Sequence, residues 1–385
     1  MTVAASAATF YGNIPEDARN RVKDMSDKSI LEYETVELLD DENAIRIIDQ
    51  TLLPGRQELI LLRTAEEIWD AIYLLKVRGA PAIGVCAAFG IYLLSKQTET
   101  EDYEFFVSEF EKKKDYLDSS RPTAVNLSWA LRRMEGVLLE MQKKGASVQE
   151  AKQALLKEAV RIKEEDIEVC RRIGEFGLTL VKPGDGILTH CNAGQLATCK
   201  YGTATAPIYL GQERGYGFHV YADETRPLLQ GARLTAYELH AAGVDVTLLC
   251  DNMSASIMKQ GKIQAIFVGC DRVAANGDTA NKIGTSVVAT VAARYGVPFY
   301  VCAPTSTIDM SLESGDLIPI EQRKPEEVTE MWYTQRMAPE GIKVYNPAFD
   351  VTDHDLIAGI VTEFGVARAP YTESLKEIFA LKEKE

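Results

Sequence analysis

GILTH, residues 186–190, opens a series of five short apolar runs. It is followed by FHVYAD (218–223), VDVTLLCD (244–251), AIFVGCD (265–271) and PFYVCAP (298–304). Between most of them lie helix-like segments such as RLTAYELHAAG (233–243) and TSVVATVAARYG (285–296). Strands buried on both faces read as near-continuous Val, Ile and Leu, and alternation with helices implies a parallel sheet. The series therefore predicts a doubly wound α/β domain. Ligands of such a sheet bind beyond the carboxyl ends of its strands. Just past the five runs stand His190-Cys191-Asn192, Asp223-Glu224, Asp251-Asn252, Asp271-Arg272 and Pro304-Thr305. Reactive side chains thus recur along one edge.

Upstream the pattern changes. Residues 1–25 read as a polar lead-in. Ile30 to Leu62 alternates apolar and polar residues around the turn signal LLPGRQ (52–57), which predicts an antiparallel hairpin or meander. Ala65 to Leu75 has helical spacing, and RGAPAIGVCAAFGIYLL (78–94) suits a closely packed helix whose start is set by Pro81. Charged amphipathic helices follow to about Leu180, with a break at RPTAVN (121–126). The expected organisation is a smaller mixed α+β N-terminal domain over residues 1–150, then a doubly wound α/β domain over 151–385.

The 385 residues suffice for a large core without covalent staples. A formal net charge of −15 argues against nucleic-acid or membrane-surface binding, which needs clustered Lys and Arg. It is compatible with an anionic small molecule held by a few local cations. Seven cysteines with no CxxC pair and no zinc-finger spacing point to reduced thiols and a cytoplasmic setting. The N-terminus lacks the marks of a signal peptide, and the apolar stretches fall short of the ~18 residues of a membrane span.

Several residues stand out, each with a plainer reading beside the chemical one. Cys191, in a strand-to-helix loop near Gly194, is placed to feel a helix N-terminus that favours thiolate, or it is a small buried hydrophobe. Position leaves both open. The hydrophobe reading suffices for Cys86, Cys170, Cys250 and Cys302. Asp271 emerges from an apolar strand, as a general acid or base with a raised pKa does, or else caps a helix or pairs with Arg272. ANGDTANKIGTS (275–286) leads into a helix and suits either a phosphate cradle with Lys282 or an ordinary cap from Thr285 or Ser286. It lacks the P-loop spacing, and GYGFHV (215–220) lacks the third glycine of a dinucleotide site. Arg78 and Arg121 are surface arginines or phosphate forks. His190 and Cys191 point to opposite sides of a strand, so they do not make a metal site. The residues together describe an α/β enzyme for a small anionic substrate, using acid–base or thiol chemistry without metal.

VRGAPAIG (77–84), RPTAVNL (121–127), LTHCNAG (188–194), DETRPLLQGARLT (223–235), DNM (251–253), GCDRVAANGDTANKIGT (269–285) and VYNPAFDVT (344–352) together resemble the methylthioribose-1-phosphate isomerase family. That family belongs with other sugar-1-phosphate isomerases and with regulatory subunits of a translation-initiation exchange factor. The resemblance runs from about Thr51 to Tyr371. It implies an aldose–ketose isomerase of methionine salvage that acts on a phosphorylated pentose, carries a Rossmann-like catalytic domain after its mixed N-terminal one, works as a homodimer and needs no metal or organic cofactor. It implies that Cys191 and Asp271 are catalytic, and that Arg78, Gly79, Ala80, Arg121, Gln230, Asn281 and Lys282 bind substrate. The chain departs from the family pattern at Gln195, Cys199, Lys200 and Pro207. That leaves 5-deoxyribose 1-phosphate as the alternative sugar, and a non-catalytic sugar-phosphate or nucleotide-binding subunit as the alternative class.

Overall fold

A computed structural model describes residues 32–122 and 124–384; the expected lead-in over residues 1–25 lies outside them. Strands β1 (Val36–Leu39), β2 (Ala44–Ile48) and β3 (Leu59–Leu62) form the expected antiparallel meander, and LLPGRQ joins the last two. Five helices follow: α1 (Ala65–Tyr73), α2 (Ala80–Lys96), α3 (Tyr103–Asp118), α4 (Val125–Lys143) and α5 (Val148–Leu178). α1 and α5 open with reciprocal caps, Thr64 with Glu67 and Ser147 with Glu150, each satisfying backbone N–H groups at the helix start. RPTAVN lies where α3 gives way to α4.

α2 is the centre of this half. Every residue from Ala82 to Ser95 is buried, and the small ones let neighbours close in. Gly84 lies against the Asn126 backbone and Gly90 against Ile68. One apolar core joins this helix to the meander, to α1, α3 and α4, and to the first half of α5. The end of α5 belongs to a different core: Ile173 and Leu178 pack with Ile187, Ile208 and Val220.

The second half is built on β4 (Gly186–Thr189), α6 (Ala206–Glu213), β5 (His219–Asp223), α7 (Ala236–Ala241), β6 (Asp245–Leu249), α8 (Ser254–Lys259) and β7 (Ala265–Val268). It continues through β8 (Arg272–Ala274), β9 (Thr279–Lys282), α9 (Thr285–Tyr295), β10 (Phe299–Cys302), β11 (Ile308–Asp309), α10 (Glu326–Thr329), β12 (Phe349–Thr352), β13 (Gly359–Thr362), β14 (Gly365–Ala367) and α11 (Tyr371–Lys382). All five apolar runs are strands of one seven-stranded sheet, ordered β14-β13-β10-β7-β4-β5-β6. Every pairing in it is parallel except β13 with β14.

From the β6 edge, the parallel strands run third, second, first, fourth, fifth, sixth in chain order. This is the Rossmann-like arrangement, and its winding reverses between β4 and β7. A four-stranded sheet, β11-β8-β9-β12, grows out of the loop beyond β7. It was not foreseen, because RVA and TANK are too short and polar to read as strands.

Candidate active site

The loops after β4 and β7 flank the crevice where the winding reverses, and they carry Cys191 and Asp271. The segment after Thr189 does not enter a helix directly. His190 to Gly194 is irregular, Gln195–Ala197 is a single 3-10 turn, and Cys199 stands in the bends before α6 rather than on a helix. Cys191 therefore sits at no helix N-terminus. It adopts φ +67°, a left-handed conformation uncommon for a non-glycine residue.

Both backbone polar groups of Cys191 are held. Its N–H donates to Thr225 Oγ1 at 2.8 Å, and its carbonyl accepts from Thr235 Oγ1 at 2.6 Å. The residue is 8% exposed. Burial pushes the thiol above its ordinary pKa; Arg78, Lys282 and the Asn192 N–H pull against the rise, and Asp271 adds to it.

Asp271 is exposed at the crevice, and its N–H donates to Ala280 O at 2.9 Å, which ties it to β9. Neither plain reading holds. A strand follows it, so it caps no helix, and Arg272 pairs instead with Asp309 at 2.8 Å. Desolvation by the surrounding protein raises its pKa in spite of Lys282, Arg121 and Arg78. Lys282 feels Cys191 and Asp271 and is lowered by burial; its ammonium lies 4.5 Å from the centre of the Phe349 ring. Arg121, from the α3–α4 junction, is also lowered by burial, partly offset by Glu321 and Asp271.

Arg78 precedes α2 and grips Asn192 twice, with Nη1 on Oδ1 at 2.6 Å and Nη2 on the backbone O at 2.9 Å. Gly79 has φ +90°, and a Cβ there would stand 2.4 Å from the Ala197 carbonyl oxygen. Only glycine lets the start of α2, with Ala80, meet the Cys191 loop this closely. The structure thus brings Cys191, Asp271, Arg78, Arg121 and Lys282 into one electrostatic cluster drawn from both halves of the chain. Gln230 stands at the start of the helical turn Gly231–Thr235 that follows the β5 loop, 7% exposed, with Oε1 buried and unpartnered. Asn281 is buried on β9 beside Lys282 and donates to Thr285 Oγ1.

Residues 76–369 match the initiation factor 2 subunit family. The chain belongs to that family. It is 64% identical over 353 residues to a methylthioribose-1-phosphate isomerase of Symbiobacterium thermophilum, covering 92% of this chain and 98% of the relative. It is 56% identical over 344 residues to a 5-deoxyribose 1-phosphate isomerase of Petrotoga mobilis, covering 89% and 98%. The crystal structure of a 5-methylthioribose 1-phosphate isomerase from Pyrococcus horikoshii superposes with a TM-score of 0.85 at 44% identity, covering 90% of this chain and 96% of that one.

Three expectations change in this initiation factor 2 subunit fold. The start of α9 is not a phosphate cradle: Asp350 accepts from the N–H groups of Gly284 and Ser286 and from the Ser286 hydroxyl, so a carboxylate already fills it. Neither Thr285 nor Ser286 caps the helix; Gly284 takes that position, with φ +102°. Cys250 is exposed rather than a core filler.

Sequence reasoning also missed Glu321 and Arg323, which reach the cluster electrostatically from the segment before α10. No periodic element marks that segment. It missed Glu238 too, whose buried carboxylate receives the N–H groups of Gln195 and Leu196 and is pushed up to about 7 by burial. Among the described residues, one group brings metal-ligand atoms within 4.8 Å of one another: His190, Asp223 and Asp251. The His190 ring nitrogens face Asp223 and the Ile283 carbonyl, and both Asp251 oxygens receive backbone N–H groups. This is a hydrogen-bonded knot beneath Cys191.

Proposed function

We propose that the chain isomerises 5-methylthioribose 1-phosphate to 5-methylthioribulose 1-phosphate, a step of methionine salvage. The observation that carries this reading is the electrostatic coupling of Cys191 and Asp271, on the loops after β4 and β7, with each other and with Arg78, Arg121 and Lys282. The high identity to a methylthioribose-1-phosphate isomerase supports it. Relatives named for 5-deoxyribose 1-phosphate support that sugar as a second substrate. A missing thiomethyl group is worth only ~1–3 kcal/mol in an apolar pocket, so overlapping activity is expected.

The substrate's C1 oxygen carries phosphate, so the ring does not open on its own. Asp271, whose pKa desolvation raises, gives its proton to the ring oxygen as the C1–O bond breaks. Cys191, whose thiolate form Arg78 and Lys282 favour against burial, takes the C2 proton, exchanges it with solvent and delivers a solvent-derived proton to C1. The C2 hydroxyl becomes the ketone, and its proton restores Asp271. Arg78, Arg121 and Lys282 offset the phosphate charge, joined by N–H groups of Gly79 and Ala80 at the start of α2. The unpartnered Gln230 Oε1 accepts from a sugar hydroxyl, and Asn281 holds another.

The chain acts as a cytoplasmic homodimer. Support for the compartment is a set of seven unpaired thiols and the lack, among the described residues, of any helix long and apolar enough to cross a membrane. Support for the dimer is the β6 edge, where Leu248 and Met253 leave apolar side chains exposed. The deciding experiment is turnover of 5-methylthioribose 1-phosphate in deuterated water. Ketose formation with deuterium at C1 is expected. Ligand binding without turnover would overturn the catalytic reading, and turnover without deuterium would replace the proton route by a hydride shift.

A further inference from the structure

We propose that Thr225 and Thr235 are positioning residues, two hydroxyls that clamp the Cys191 backbone in its left-handed conformation and so aim the thiol into the crevice. The proposal rests on the catalytic reading of Cys191.

Thr225 and Thr235 come from the two ends of the DETRPLLQGARLT segment, and they hold the two peptide units on either side of the Cys191 Cα. Thr225 Oγ1 accepts from the Cys191 N–H at 2.8 Å and donates to Asp223 O at 3.0 Å. Thr235 Oγ1 donates to Cys191 O at 2.6 Å and accepts from Asn192 Nδ2 at 3.1 Å. Each hydroxyl thus uses its single proton and one lone pair, which fixes the direction of every bond. Both threonines are buried, at 0% and 1% exposure, so losing either hydroxyl would leave a Cys191 polar group unpaired away from water.

The clamp is itself anchored. Thr225 is a β-branched residue at φ +65°, a genuine outlier, held there by Asp251. The Asp251 carboxylate receives the Thr225 N–H and the Arg226 N–H, both at 2.7 Å. On the other side, Asn192 links Thr235 to the Arg78 guanidinium. One continuous chain therefore runs Asp251–Thr225–Cys191–Thr235–Asn192–Arg78. It joins the carboxyl ends of β4, β5 and β6 to the start of α2. A strained backbone conformation persists only where its surroundings over-determine it, and this chain supplies that determination. Because the same chain ends on Arg78, it sets the thiol and a phosphate-facing cation in register.

The test compares Thr225→Val and Thr235→Val with Thr225→Ser and Thr235→Ser. Valine keeps the shape and the backbone strain and removes only the hydroxyl. With 5-methylthioribose 1-phosphate, kcat should fall ~10–100-fold in each valine variant with KM little changed, since misplacement of a reacting group by about an ångström costs this much. The iodoacetamide alkylation rate of Cys191, followed on its own peptide by mass spectrometry, should change in the valine variants and return in the serine variants. Asp251→Asn offers a softer perturbation of the same chain and should shift both readouts in the same direction, so a valine variant that failed to fold would not close the question.

Valine variants that keep kcat and the alkylation rate within about two-fold of wild type would overturn the clamp, as would serine variants that restore neither. Cys191→Ala is run alongside. If it keeps turnover, the catalytic reading of Cys191 fails, while the alkylation rates still judge the clamp. If it is inactive and the valine variants are normal, only the clamp fails.

Discussion

Cys191 and Asp271 owe their character to desolvation by the surrounding protein more than to their charged neighbours. Three cations surround them, yet desolvation dominates and raises both groups. Asp271→Asn and Cys191→Ser should each lower kcat by ~10²–10⁴-fold, the range of a lost acid–base group, with little change in thermal stability. The pH dependence follows from the direction of the Asp271 shift. An acid that must be protonated works below its pKa and fails as pH rises through it, so the alkaline limit of kcat/KM lies above the ordinary carboxylate range. Arg121→Ala removes a cation that opposes this shift and should move the alkaline limit further up, as a pH–rate profile would show. Both catalytic candidates were readable in the sequence because each ends an apolar run. The residues that hold the Cys191 loop were not, since Thr225, Thr235 and Glu238 look like ordinary polar residues until the chain is folded.

Single elements meet the site through close approach and shared carboxylates. The start of α2 touches the turn after β4 at Gly79. Gly79→Ala brings a Cβ into the Ala197 backbone and a side chain into a left-handed conformation. The expected cost is about 2–4 kcal/mol, read by denaturant unfolding, together with loss of turnover because Arg78 shifts with the helix. The bend at Cys199 is tied to α5 by Asp166, whose Oδ2 receives the Cys199 N–H at 2.7 Å. Desolvation pushes this carboxyl from 3.8 up to about 6. Its folded pKa lies above the unfolded one, so the protonated folded state is favoured and stability falls as pH rises from about 4 through 6. Asp166→Asn should flatten that fall, removing about 1–3 kcal/mol of the difference between pH 4 and pH 7. An unchanged difference in chemical denaturation at the two pH values would count against it. The α9 start shows why local reading misleads: its glycine- and threonine-rich approach looks open to phosphate, but Asp350 from a distant strand fills it.

For the molecule as a whole, the exposed apolar side chains at the β6 edge are the place to test association. Light scattering should report twice the chain mass for the wild type and a single chain mass for Leu248→Glu; a wild-type single-chain mass would refute the dimer. The parallel sheet, its five first-read strands and the reactive edge were legible because doubly buried strands carry a continuous apolar signal that survives without tertiary context. The meander and the central helix were legible from alternation around LLPGRQ and from the small apolar run after Arg78. Order in the sheet was not, because it depends on which way each crossover turns, and that depends on packing between segments far apart in the chain. That order puts β4 beside β7 and so sets Cys191 opposite Asp271. The sheet of β8, β9, β11 and β12 was also invisible, since its strands are too short to hold a period. Periodicity and residue type thus settled the class of fold and the candidates for chemistry. Proximity, burial and the left-handed turn at Cys191 arose only from folding, because desolvation and long-range hydrogen bonds belong to no single stretch of chain.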